Sequence, residues 1–198
     1  SGQSCIAAKR FIVVRDAMRE FTEFFLSEIS RIRIGDPMDE LDEIGPMARS
    51  DLRKELQTQV ERSRKQGARL LCGGEIPIGR GFFYPPTVLC DVRPEMTAAI
   101  EETFGPAAPL LEAKDENDAI RIANDSRFGL GASLWTEDLE KAERLAGQLE
   151  AGCVFINEFV KSDPRMPFGG IKMSGYGREL GPEGIREFVN VKSVWIMR

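Results

Sequence analysis

Short runs of β-branched and apolar residues alternate along this chain with longer segments whose apolar positions recur at helical spacing, and no other property narrows its possible folds so far. Phe11-Ile12-Val13-Val14 predicts a strand, and the segment after it carries Phe21, Phe24, Phe25, Ile29 and Ile32 on one helical face. Ser50 is placed to cap a second helix, whose Leu52, Leu56 and Val60 recur every four residues up to Gly67. A strand over 68–72 follows and is closed by Gly73-Gly74. Further strands are predicted at Val88-Leu89-Cys90 and Leu110-Leu111, then a helix holding Ala119, Ile120 and Ala123, then a strand over 131–135. The clearest helical face joins Leu139, Ala142, Leu145, Ala146 and Leu149, with Gly152 beyond its end and Cys153-Val154-Phe155-Ile156 as the next strand. Strands separated by helices of this length imply right-handed crossovers, hence an α/β fold with an open, mainly parallel sheet covered by helices.

With 198 residues, 42% of them hydrophobic, the chain can bury one substantial core. The expected organisation is a domain over 1–188 and a terminal extension over 189–198, where residues 189–197 alternate like an edge strand. Between 157 and 181 no period fits, and Pro164, Pro167, Gly169, Gly170, Gly175, Gly177 and Gly181 punctuate the segment. Loops this long line a site or are disordered. The apolar Met166, Phe168, Ile171, Met173 and Tyr176 favour an ordered loop.

The formal net charge of −5, with both signs interspersed and no basic stripe, argues against nucleic acid as a partner. No apolar run reaches bilayer length and no charged-then-apolar leader opens the sequence, so a cytoplasmic, membrane-free protein is expected. Cys5, Cys72, Cys90 and Cys153 are far apart and lack CxxC spacing, which favours reduced thiols. The chain contains no histidine. That removes Ser/His and Cys/His dyads together with most zinc sites, and no metal is expected.

Ser1-Gly2-Gln3-Ser4-Cys5 places a thiol after a short turn and before residues that favour helix. At a helix N-terminus such a thiol is activated by the backbone dipole, and free N–H groups there can hold an oxyanion. Without histidine, any base serving Cys5 must be a carboxylate, a lysine or a group outside these residues. In Glu101-Glu102-Thr103-Phe104-Gly105-Pro106 neighbouring carboxylates on an extended or turning backbone point apart, which excludes a proton-sharing dyad. One of them can accept two ribose hydroxyls while the ring packs on a flat ligand. The glycines around Phe168 allow close backbone approach. The Gly175–Gly181 run has its third glycine one position late for a dinucleotide fingerprint and follows no strand, and 170–174 lacks P-loop spacing.

Taken in order, GQSC, EETFGP and PFGGIKMSGYGREL resemble the aldehyde dehydrogenase superfamily, and their separations match its catalytic domain across essentially the whole chain. Within it, GPMARSDLRKEL, GARLLCGGE and YPPTVL are most similar to bacterial NAD(P)-dependent succinate-semialdehyde dehydrogenases. The resemblance implies that Cys5 is the nucleophile, that Glu102 holds the nicotinamide ribose, and that Phe104 packs beside it. It implies that Phe168 lies near the aldehyde, that Ser162 offers a hydroxyl to a substrate carboxylate, and that Arg165 assists. The cofactor so implied is NAD or NADP, the substrate a small aldehyde such as succinate semialdehyde, and the assembly a homo-oligomer, dimer or tetramer, joined through the 189–198 strand. The resemblance also places the cofactor-binding domain, the glutamate base and the oxyanion-hole asparagine upstream of residue 1, so 1–198 alone should not turn over. Where relatives often carry Gln and Lys against the cofactor ribose, this sequence has Leu52 and Glu55. Alternative expectations are a dehydrogenase of another aldehyde, a non-catalytic oligomerisation or binding module, or a cysteine acyl-transferase.

Overall fold

The computed structural model describes residues 1–198. They divide into two units, Ser1–Ser126 and Arg127–Arg198. In the first unit Phe11–Val14 (β1), Arg69–Cys72 (β2), Thr87–Cys90 (β3) and Ala107–Ala113 (β4) form one sheet in the order β1-β4-β3-β2. The β1–β4 and β3–β4 pairs are parallel, whereas β2 runs antiparallel to β3.

Side chains alternate between sheet faces, so adjacent strand residues enter separate cores. Phe11, Leu71, Val88 and Leu110 point to the face covered by Arg15–Arg31 (α1), where Met18, Phe21, Phe25, Leu26 and Ile29 pack. Their neighbours Ile12, Leu70, Leu89 and Leu111 join the opposite core. That core also takes Leu56 and Val60 of Ser50–Lys65 (α2), Ala98 of Thr97–Ile100 (α3) and Ile122 of Glu116–Asn124 (α4). On α1 the Phe25 ring lies 5.1 Å from Phe11 and 5.4 Å from Phe21. Phe24, expected on the same face, is 66% exposed. One residue of helix turns it about 100° away from Phe25 and off the sheet.

Ser50 is the first helical residue rather than the cap of α2. The extended Arg49 occupies the cap position, with no side-chain capping bond. The cap of α4 is Asp115, whose carboxylate accepts the Asp118 N–H at 2.9 Å.

In the second unit Gly131–Leu134 (β6), Leu139–Ala146 (α5) and Cys153–Ile156 (β7) form a parallel β-α-β unit, and the short Phe128–Gly129 (β5) pairs antiparallel with Ile171–Lys172 (β8). The helix α5 ends at Gly147, well before Gly152. The punctuated loop is ordered by its own backbone: Phe168 and Glu179 exchange hydrogen bonds of 2.7 and 2.8 Å, and the Gly181 N–H reaches Pro164 O at 3.2 Å. Arg178 adds Nη1 bonds to Gly170 O and Gly177 O. Met173 and Tyr176, expected to anchor the loop, are exposed instead. Gly181–Arg186 (α6) follows. Residues 189–198 make no strand pairing within this chain.

Candidate functional site

Residues 1–9 of the first unit fold into a tight turn rather than the start of a helix. The Ala7 N–H bonds to Ser4 O at 3.1 Å, and after one turn the chain goes on to β1. Cys5 therefore sits on a turn, without the helix dipole expected to activate it. The thiol is exposed and free, and no backbone bond occupies the Cys5 N–H. Gln3 fixes the turn, its Oε1 accepting the Ala48 N–H at 2.8 Å.

Two glycines bring this turn against the one at 101–106. Gly2 has φ +71°, and a Cβ there would collide with the Gly105 carbonyl oxygen. A Cβ on Gly105 would meet Leu56 and Met47. At position 2 only glycine allows the two backbones so close. The two adjacent carboxylates then separate. Glu101 accepts Gln59 Nε2 at 3.1 Å and lies 3.8 Å from Arg62, while Gln59 also donates to Glu102 O. Glu102 is exposed and borders a recess of about 180 Å³ with Phe104, Leu52, Glu55, Leu56 and Gln59.

Lys9, which sequence reasoning did not single out, sits between these pieces. Its Nζ donates to Gly2 O at 2.9 Å and lies 4.5 Å from the centroid of the Phe104 ring. Burial lowers its pKa below the ordinary lysine value, an effect that the negative charges of Glu102 and a Cys5 thiolate partly offset. A lysine four residues after a candidate thiol, in a chain without histidine, was the available signal. The turn that brings it back was not legible.

The donor set suits a sugar diol. Glu102 presents a carboxylate beside apolar walls from Leu52, Leu56 and Phe104, and the second carboxylate, Glu55, disfavours a phosphate there. The residues thus fit a nicotinamide riboside better than a phosphate. A larger recess of about 340 Å³, lined by Ile34, Gly35, Phe83 and Pro85 with residues 77–81, contains none of the candidate residues.

Ser162, Arg165 and Phe168 belong to the second unit. Ser162 and Arg165 are exposed, and Phe168 is half-buried. The Arg165 fork grips Asp163 through Nε–Oδ1 at 2.9 Å and Nη2–Oδ2 at 2.6 Å, holding that carboxyl well below the usual range. A further guanidinium nitrogen, Nη1, remains for another acceptor.

An exposed cysteine in a glycine turn and a carboxylate beside apolar walls are thus set in a mainly parallel α/β frame. The chain belongs to the aldehyde dehydrogenase family, whose model matches residues 1–194. It is 52% identical over 195 residues to the succinate semialdehyde dehydrogenase [NAD(P)+] Sad of Escherichia coli (strain K12), covering 98% of this chain and 42% of that protein. It is 47% identical over 196 residues to a succinate-semialdehyde dehydrogenase [NADP(+)] 1 of Mycobacterium ulcerans (strain Agy99), covering 99% and 43%. The crystal structure of Mycobacterium tuberculosis aldehyde dehydrogenase complexed with NAD+ superposes with a TM-score of 0.90 at 40% identity, over 94% of this chain and 39% of that one. The chain therefore spans less than half the length of these relatives.

Proposed function

We propose that this chain is the catalytic portion of an NAD(P)-dependent aldehyde dehydrogenase, acting on succinate semialdehyde. The observation that carries the reading is the exposed Cys5, whose turn is packed against the turn bearing Glu102 and Phe104. The Cys5 thiolate bonds to the aldehyde carbon, and the carbonyl electron pair moves to oxygen, where the open Cys5 N–H is one donor for the oxyanion. Glu102 would accept the ribose hydroxyls of the dinucleotide and Phe104 would flank its nicotinamide ring, orienting it for reaction. When bound, the dinucleotide supplies the hydride acceptor. The acyl group left on Cys5 is a thioester, released by water once a base outside these residues removes a proton.

The substrate assignment rests on the named activities of the two relatives. Within the second unit, Ser162 and Arg165 are exposed and Arg165 Nη1 is open to an acceptor, which suits an aldehyde that carries a carboxylate. The exposed apolar run 188–197 is assigned to self-association.

The test is nicotinamide reduction by the full-length protein with succinate semialdehyde, with and without Cys5→Ala. Activity falling to background in the variant is expected; undiminished activity removes Cys5 from the mechanism. Comparison with butanal, which lacks the second carboxylate, tests the substrate.

A further inference from the structure

We propose that Lys9 is a positioning residue of this site, its ammonium pinning the Cys5 turn to the Phe104 ring and lending positive charge to the attacking sulfur. The proposal rests on the dehydrogenase reading for its kinetic consequences but not for its chemical ones. One cation makes two contacts at once. Nζ donates to the Gly2 carbonyl at 2.9 Å and faces the Phe104 ring at 4.5 Å. Gly2 is three residues before the thiol, and Phe104 is two after the carboxylate.

A half-buried cation over an aromatic face is held more firmly than an exposed one, because less water competes for it. The fixed charge acts on whatever negative charge stands nearby, and the two groups that act on Lys9 in this way are Glu102 and Cys5. Neutralising Lys9 removes the cation–π contact and weakens the bond to Gly2. The nucleophile turn is then free to shift against the ring. A displacement of about 1 Å at a reacting centre costs on the order of 100-fold in rate.

Burial makes Lys9 release its proton at lower pH than an ordinary lysine. The tie therefore holds below that lowered value and is lost as pH rises through it. Arginine at the same place stays charged throughout.

Lys9→Met and Lys9→Arg are compared with the unmodified protein in the full-length chain. The first measurement, made without dinucleotide or aldehyde, is the rate of Cys5 alkylation by iodoacetamide. Lys9→Met is expected to slow it about threefold or more, with recovery in Lys9→Arg. The second is the pH profile of kcat with saturating substrates. Here Lys9→Met falls ~10-fold or more at neutral pH with little change in aldehyde KM, and Lys9→Arg moves the alkaline fall to higher pH. Equal alkylation rates in all three proteins, with unchanged thermal melting, overturn the proposal whatever the enzyme assay gives. So does an alkaline limb that stays in place in Lys9→Arg. Activity that survives Cys5→Ala instead removes the dehydrogenase reading, leaving the alkylation result to judge Lys9 alone.

Discussion

Glu102 and Glu101 are chemically identical neighbours, yet their surroundings give them different work. Glu101 is engaged by Gln59 and Arg62 and ties its turn to α2. Glu102 faces the recess lined by Phe104 and Leu56. Replacing Glu102 with Gln keeps the shape but removes the charge from its hydrogen bonds. At about 1.5–3 kcal/mol for a charge-assisted bond, a ~10–100-fold rise in dinucleotide KM is expected from steady-state kinetics. Glu101→Gln should leave that KM within about threefold, because a partly exposed surface pair contributes little. Gly2 offers a sterner case. Its φ of +71° and the collision of any Cβ with Gly105 O mean that Gly2→Ala must displace the turn carrying Cys5. Both Cys5 alkylation and turnover should fall, while the melting temperature moves by only a few degrees since residues 1–5 contribute nothing to either core.

Between α2 and α3 a buried hydroxyl bridges the two backbones. Ser63 Oγ is fully buried, donating to Gln59 O at 2.8 Å and accepting the Ala98 N–H at 2.9 Å. Ser63→Ala strands that N–H at a cost of about 1–3 kcal/mol, visible as a lowered denaturant midpoint with unchanged slope. The phenol of Tyr84, almost wholly buried, is another element-scale group. Burial pushes its pKa up to about 12 from 10.0. A raised pKa means that the folded state keeps the proton when the unfolded chain would release it. Its contribution is present below pH 10 and is lost as pH climbs towards 12. Tyr84→Phe should flatten the alkaline fall in stability over that interval, read from chemical unfolding at stepped pH. The strands β1, β3, β4 and β7 were legible because each is a short run of β-branched or apolar residues, and α1 because its face repeats four times. The direction of β2 was not, since its antiparallel partner is chosen by the return path through 73–86 rather than by its own residues. Nor was the turn at Cys5. Ser4 to Ala8 have helical propensity, but β1 begins at Phe11 and leaves no room to offset the cost of helix nucleation. The six candidate residues could be named from motif spelling; Lys9 could not, because its contacts are made by a fold-back with no periodic trace.

At the scale of the molecule the unsolved quantity is the apolar surface left over. Phe188, Val191, Trp195, Ile196 and Met197 are each more than four-fifths exposed, and none belongs to either core. Residues 190–198 also make no backbone hydrogen bond, so their N–H and C=O groups are open for pairing. Open backbone groups beside exposed apolar side chains suit pairing with a sheet edge, and such a surface invites association unless it is covered. Fully burying one Val, Ile or Phe gives about 1.5–3 kcal/mol, so a few of these residues together supply enough to hold two copies at micromolar concentration. Under the self-association proposed above, changing Val191 and Trp195 together to Asp should cut the mass measured by light scattering to that of one chain. Far-ultraviolet circular dichroism should lose almost nothing, because neither residue takes part in a helix, strand or core cluster. A variant that keeps the parent mass would remove 188–197 from the interface, and one that unfolds would mean that the run packs on its own chain in solution.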